Sequence, residues 1–138
     1  MFDIPYFLVF LVSVISLVLG YLWYGKWFKA KWLEIIGATA VDLETRKKME
    51  KESMHLYVIQ FVMTFVQMTM LAILVSVILL HPIITAILIW FAFIVPTIAA
   101  SSMWTNDPKH IVKARFLIQI GYQLFVFIVA GFVFSFWL

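Results

Sequence analysis

Apolar residues fall in four long runs, and the polar residues gather between them. The runs lie at Ile4 to Tyr24, about His55 to Leu80, Ile83 to Trp104 and about Lys113 to Trp137. Each is close to the ~20 mainly apolar residues that a helix needs to cross a hydrocarbon core. Membrane strands would be about half as long and would alternate in polarity. The pattern predicts an all-α fold, an integral membrane bundle of four transmembrane helices, with residues 1–138 forming a single transmembrane domain.

The connections differ in kind. Spans two and three meet at His81-Pro82, a tight break with proline suited to a first helical turn. Spans three and four meet at Thr105-Asn106-Asp107-Pro108, where Asn or Asp is placed to cap the next helix. Spans one and two are about 30 residues apart, too many for a simple turn. Within that stretch, Phe28, Trp32, Ile35 and Ile36 share one helical face, which predicts a short helix in the membrane interface. Gly37 is suited to end it. Thr39-Ala40-Val41-Asp42 then matches a capping box, and Glu44–Lys48 and Lys48–Glu52 are helical charge pairs. A solvated helix feeding into span two is expected.

Charge gives these helices an orientation. All ten Lys and Arg fall in or beside the first and third connections, and none at the termini or the His81 turn. The positive-inside rule predicts that these connections, with the interfacial helix, are cytoplasmic and both termini outside, in an inner or plasma membrane. Trp23, Tyr24, Trp27, Trp32, Tyr57 and Trp104 then form an inner aromatic belt, with Phe2, Tyr6 and Trp137 at the outer face. Trp90, near mid-depth, reads as a packing residue. The first run starts with an acid, no Lys or Arg, and no small-residue cleavage site, so it reads as a retained span.

Composition excludes a water-soluble fold. Of the chain, 65% is hydrophobic and 12% charged, against roughly 25% charged in a soluble domain. The absence of cysteine removes disulfides, thiol catalysis and cysteine metal sites. No Asp, Glu, Lys or Arg lies deep in a span, which weighs against carboxylate-driven transport.

Neutral polar residues are unevenly placed. Gln60, Thr64 and Gln67 line one face of span two. Thr97 and Ser101 are one turn apart on span three, as are Gln119 and Gln123 on span four, with Tyr122 beside them. Two readings compete. The ordinary one is interhelical glue, with Ser16, Gly20, Pro96 and Gly121 as packing positions. The functional one is a polar pocket in the cytoplasmic half, lined by Gln60, Thr64, Gln67, Thr97, Ser101, Gln119, Tyr122 and Gln123. Pro96 removes a backbone bond and is expected to bend its helix.

Catalytic and metal motifs do not assemble. His55 and His110 sit at charged helix starts without a third ligand, and Met63, Met68 and Met70 do not share a face. No glycine-rich loop, triad or carboxylate pair is present. A protein that is not an enzyme, with no cofactor and no metal, is expected.

A set of short motifs recurs in order along the chain. They are Gly20-Tyr21-Leu22-Trp23-Tyr24, Gly25-Lys26 with Trp32 and Gly37, Phe93-Ile94-Val95-Pro96-Thr97, and Gly121-Tyr122. In these the chain resembles a family of small prokaryotic four-helix membrane proteins classed as a domain of unknown function. The resemblance implies the fold and topology. The chain departs from the family pattern at Gln123, where Gly-Tyr-His is expected.

The functional expectation is therefore broad: a membrane protein of unknown activity, read as a small homo-oligomeric transport or channel-like protein. Four helices leave little room for a pore in one protomer. The alternative is a non-catalytic subunit or scaffold packed against a partner membrane protein. Expected partners are membrane lipids and a second copy, with no nucleic acid.

Overall fold

The computed structural model describes residues 3–37 and 42–138, and among these every regular element is helical. Helix α1, Tyr6–Leu22, runs on through a wide π-helical turn at Trp23–Trp27. Helices α2, Lys29–Ile35, and α3, Leu43–Glu52, follow. Helix α4 is Met54–Val77. The third span is composite: α5, Pro82–Ile89, a second π-helical turn at Trp90–Ile94, and α6, Val95–Met103. Helix α7 is Lys109–Ser135. Four stretches are long and apolar enough to cross a membrane: Tyr6–Trp27, Met54–Val77, Pro82–Met103 and Lys109–Ser135.

Helix α7 organises the bundle. It packs against α1, α2, α4, α5 and α6, while α4 also packs on α1 and α5. The third span is peripheral, with only 11% of its most apolar stretch buried. Phe7, Val18, Val66, Leu88, Phe91, Phe93 and Phe132 point outward. Such a surface suits a hydrocarbon solvent, in which apolar side chains gain nothing by hiding.

The dry core lies toward the end that carries the termini. Val9, Val12, Met68, Leu71, Ala72, Val75, Ala86, Phe127, Ala130 and Phe134 form it. Small residues set its tightest contact. A Cβ on Gly131 would stand 2.8 Å from Ile83 Cα and 3.0 Å from the Pro82 carbonyl oxygen. The α5 and α7 backbones therefore meet there, as small residues permit in membrane bundles. The sequence reading did not single out Gly131.

Pro96 explains the second wide turn. Proline has no N–H, and its ring crowds the carbonyl four residues earlier. Just upstream, Val95 N–H bonds the Trp90 carbonyl five residues back, the π-helical pattern. In the first wide turn, Phe28 N–H bonds the Trp23 carbonyl in the same way, at 2.9 Å.

The connections follow the sequence in part. His81 precedes Pro82 and its Nδ1 accepts the Ile83 N–H at 3.2 Å. Gly37 takes a positive φ of 74° after α2. The apolar face expected on α2 is divided: Ile35 is buried and Trp32 half-buried in a small core with Ile111 and Ile118, whereas Phe28 and Ile36 are exposed. Thr39, Ala40, Val41 and Phe2 lie outside the described residues. Asp42 caps α3 by accepting the Thr45 N–H at 2.8 Å. Helices α3 and α4 are separated at Ser53 rather than continuous.

The Asn106 or Asp107 cap expected on α7 is not made. Pro108 occupies the capping position, and Asp107 instead accepts a hydrogen bond from Arg115 at 2.6 Å. With both partners ionised, that bond is charge-assisted on both sides. That bond holds the Asp107 carboxyl below the usual carboxylate range.

Two outcomes follow from this packing. Gly131→Ala should lower stability by about 1–3 kcal/mol, since backbone cannot yield as a side chain would, read by thermal unfolding in detergent. For Asp107, a lowered pKa stabilises the fold above the ordinary carboxylate value, and the gain is lost as pH falls through the lowered value. The melting-temperature gap between the wild type and Asp107→Asn should therefore be largest near neutral pH and close on acidification.

Candidate functional site

The site is framed by an exchange of aromatic rings for glycines between α1 and α7. Tyr122 of α7 lies over Gly20, where a Cβ would stand 3.2 Å from its hydroxyl oxygen. Trp23 lies over Gly121, where a Cβ would stand 3.1 Å from the indole. Each glycine thus seats the other helix's ring. The polar tips end on backbone: Tyr122 Oη donates to the Ser16 carbonyl at 2.7 Å, and Trp23 Nε1 donates to the Ile118 carbonyl at 3.0 Å.

A third ring holds the other side of α7. Trp90 Nε1 donates to the Ile120 carbonyl at 2.9 Å, so the residue read as simple packing also hydrogen-bonds. Among the described residues these three are the side-chain hydrogen bonds between the long helices. Several span hydroxyls, including Ser16 among the expected packing positions, turn inward on their own helices. Ser13, Ser16, Thr64 and Thr97 donate to the carbonyls of Val9, Val12, Gln60 and Phe93. Such back-bonding satisfies a hydroxyl without a partner helix.

Below this lock, at the Lys- and Arg-rich end, the bundle opens. From Met54 to Gln60 every α4 residue is exposed, and α6 rests on α7. Between them lies a cavity of about 920 Å³. Its polar lining includes Gln60, Ser101, Gln119, Tyr122 and Gln123, and the rings of Tyr24 and of Trp32 on α2 meet at a tilt, 4.6 Å between centroids. Gln123 Oε1 is buried and has no partner among the described residues. Lys29, Arg46, Lys47 and Glu50 line the same cavity, and Arg46 Nε is likewise buried without a partner among the described residues.

Five of the eight sequence-predicted pocket residues thus surround one space: Gln60, Ser101, Gln119, Tyr122 and Gln123. Three do not line it. Thr64 is buried against its own helix, where it also accepts from Gln60 Nε2 at 3.3 Å. Gln67 is half-buried higher on α4. Thr97 is exposed on α6, bonded to Phe93. The wide turn before Pro96 shifts the facing of everything after it, which a uniform helical count cannot register. Of the packing positions, Ser16, Gly20 and Gly121 sit in the lock, whereas Pro96 is exposed and acts on helix shape.

The cationic lining was missed as part of a site. Lys29, Arg46 and Lys47 read along the chain as topology charges, and only folding of α2 and α3 over the bundle brings them to the cavity. A smaller cavity of about 460 Å³ lies at the α6–α7 turn, lined by Ser102, Asp107, Lys109, Lys113 and Phe116 among others.

The residues of the lock are the motif residues of the chain. A family model described as a protein of unknown function (DUF1761) matches residues 7–135. The chain belongs to this family. The match spans α1 through α7, so the lock and the cavity both lie within the family domain. No curated protein and no solved structure matches the chain.

The lock predicts an unequal pair of substitutions. Tyr122→Phe should cost about 1 kcal/mol, the usual worth of an interhelical hydrogen bond. Ser16→Ala should cost less, because its backbone carbonyl, not its hydroxyl, receives the phenol. Thermal unfolding of both variants in detergent measures the difference.

Proposed function

We propose that the protein is a multi-pass membrane carrier of an inner or plasma membrane that loads its ligand from the cytoplasm into the α1–α4–α6–α7 cavity. One observation carries the reading: a polar cavity open at the basic end and floored by a dry, close-packed half. A channel needs a continuous wet path, and the core around Phe127 and Phe134 interrupts one. A carrier needs a site accessible from one side at a time. The positive-inside rule puts the basic end in the cytoplasm and both termini outside.

The wide turns at Trp23–Trp27 and Trp90–Ile94 support this reading. π-helical turns and proline are where helices bend, and a carrier must bend to change its open side. The amides suit the task as well. Gln60, Gln119 and Gln123 offer both donors and acceptors without charge, so a ligand can be held and released. The cavity is built within one chain, so this reading does not depend on the homo-oligomer expected from the helix count.

The cysteine-free sequence makes the reading directly testable. Gln60→Cys, Gln119→Cys and Gln123→Cys should react with a membrane-impermeant maleimide several-fold faster in inside-out vesicles than in right-side-out cells. Phe127→Cys should resist from both sides. In proteoliposomes, flux of at least one solute from a broad panel is expected, and Gln119→Trp should abolish it. No flux of any solute would refute carriage, and equal labelling from both sides would refute a resting state open to the cytoplasm.

A further inference from the structure

Granted that the cavity takes up a ligand, as proposed above, we infer that this ligand is an anionic amphiphile: an acidic phosphate or carboxylate head on an apolar body. Among the described residues, four charged side chains line the cavity, and three are cations, Lys29, Arg46 and Lys47, against one acid, Glu50. They come from α2 and α3, so the positive charge lies at the cavity mouth. Arg46 Nε is shut away from solvent without a partner among the described residues. A guanidinium donor left so is costly, and an anionic oxygen would satisfy it in a charge-assisted bond.

Charge alone would fit a small soluble anion. The walls argue otherwise. Leu17, Leu33, Tyr57 and Ile98 give the lining apolar area on several sides, which a bare phosphate could not use. The cavity also lies between α4 and α6, and the α4 wall from Met54 to Gln60 is unpacked, with Leu56, Val58 and Ile59 outward. That side starts at the headgroup level that Tyr57 marks and runs inward toward the acyl chains. A head held at Arg46 and Lys47 can thus keep its tail in the bilayer. Deeper in, Gln123 Oε1 is an unpartnered acceptor, matched to a hydroxyl such as the head of a glycerolipid carries.

The competing explanation is diffuse attraction of a basic loop to an acidic membrane surface. Helix α3 separates the two. Arg46 and Lys47 line the cavity, whereas Lys48 and Lys51 are exposed on the same helix outside it. Removing either pair changes net charge equally.

The test is native mass spectrometry of the full chain in dodecyl maltoside, titrated with dioleoyl phosphatidylglycerol and dioleoyl phosphatidylcholine. One tight site is expected, preferring phosphatidylglycerol by roughly tenfold or more. The Arg46→Gln/Lys47→Gln variant should lose that preference, and Lys48→Gln/Lys51→Gln should keep it. Equal affinity for the two lipids, or equal loss in both variants, would overturn the inference. So would glycerol phosphate binding as tightly as phosphatidylglycerol, since a soluble anion would then be the ligand. Selective lipid binding without flux of any solute would uphold this inference and count against carriage. Flux of a soluble solute with no lipid preference would do the reverse.

Discussion

In a hydrocarbon solvent a polar tip on a large ring must find its partner inside the protein. Here three such tips, on Trp23, Trp90 and Tyr122, find backbone carbonyls at Ile118, Ile120 and Ser16. Two of those carbonyls belong to α7, and the third ring is its own. A carbonyl already engaged in a helix keeps a second lone pair, so α7 can receive these donors without breaking its ladder. Both flanking spans are thereby pinned to one level of one helix. Neither pin involves a charge, so the fold holds without charged groups deep in the spans.

The position of that level shapes everything beside it. On the termini side, small residues let backbones close together. On the basic side, α4 has no pin to α7 and stands away from it. Helices α2 and α3 then fold over the gap, and α2 is anchored by Ile35 and Trp32 against Ile111 and Ile118. Dry packing and an open cavity are thus two sides of one arrangement, divided by the aromatic lock. The amides of Gln119 and Gln123 sit next to Tyr122 and inherit its placement. One turn apart on a pinned helix, they have little freedom to face elsewhere.

Much of this was legible in the chain. The four apolar runs and the breaks at Pro82 and Pro108 carry the helices, because length and hydrophobicity alone decide a span. The motif residues Gly20, Trp23, Gly121 and Tyr122 stood out, and they prove to be mutual partners. What stayed hidden has physical causes. A hydroxyl's choice between its own helix and a neighbour leaves no mark on periodicity, so Ser16 looked like glue and Thr64 like pocket lining. Gly131 sits in a uniformly apolar run, where no pattern reveals that another backbone touches it. Asp107 preferred a guanidinium to a helix end, a competition that only three-dimensional reach decides. The charges of Lys29, Arg46 and Lys47 reach the cavity through tertiary folding, which local sequence does not encode.

The wide turn at Trp90–Ile94 has a consequence for chain length itself. An ideal helix advances about 100° per residue, and a π-helical turn accommodates one residue more than its α-helical equivalent. That surplus residue works as a fixed phase offset between α5 and α6. Deleting it would restore an even pitch and leave every remaining side chain intact. Because the wide turn already absorbs that residue, α6 would keep its facing relative to α5, with Ser101 and Ile98 still on the cavity wall. In this span, position is kept by counting as much as by chemistry: a deletion outside the wide turn rotates everything beyond it by about 100°, and a deletion within it does not.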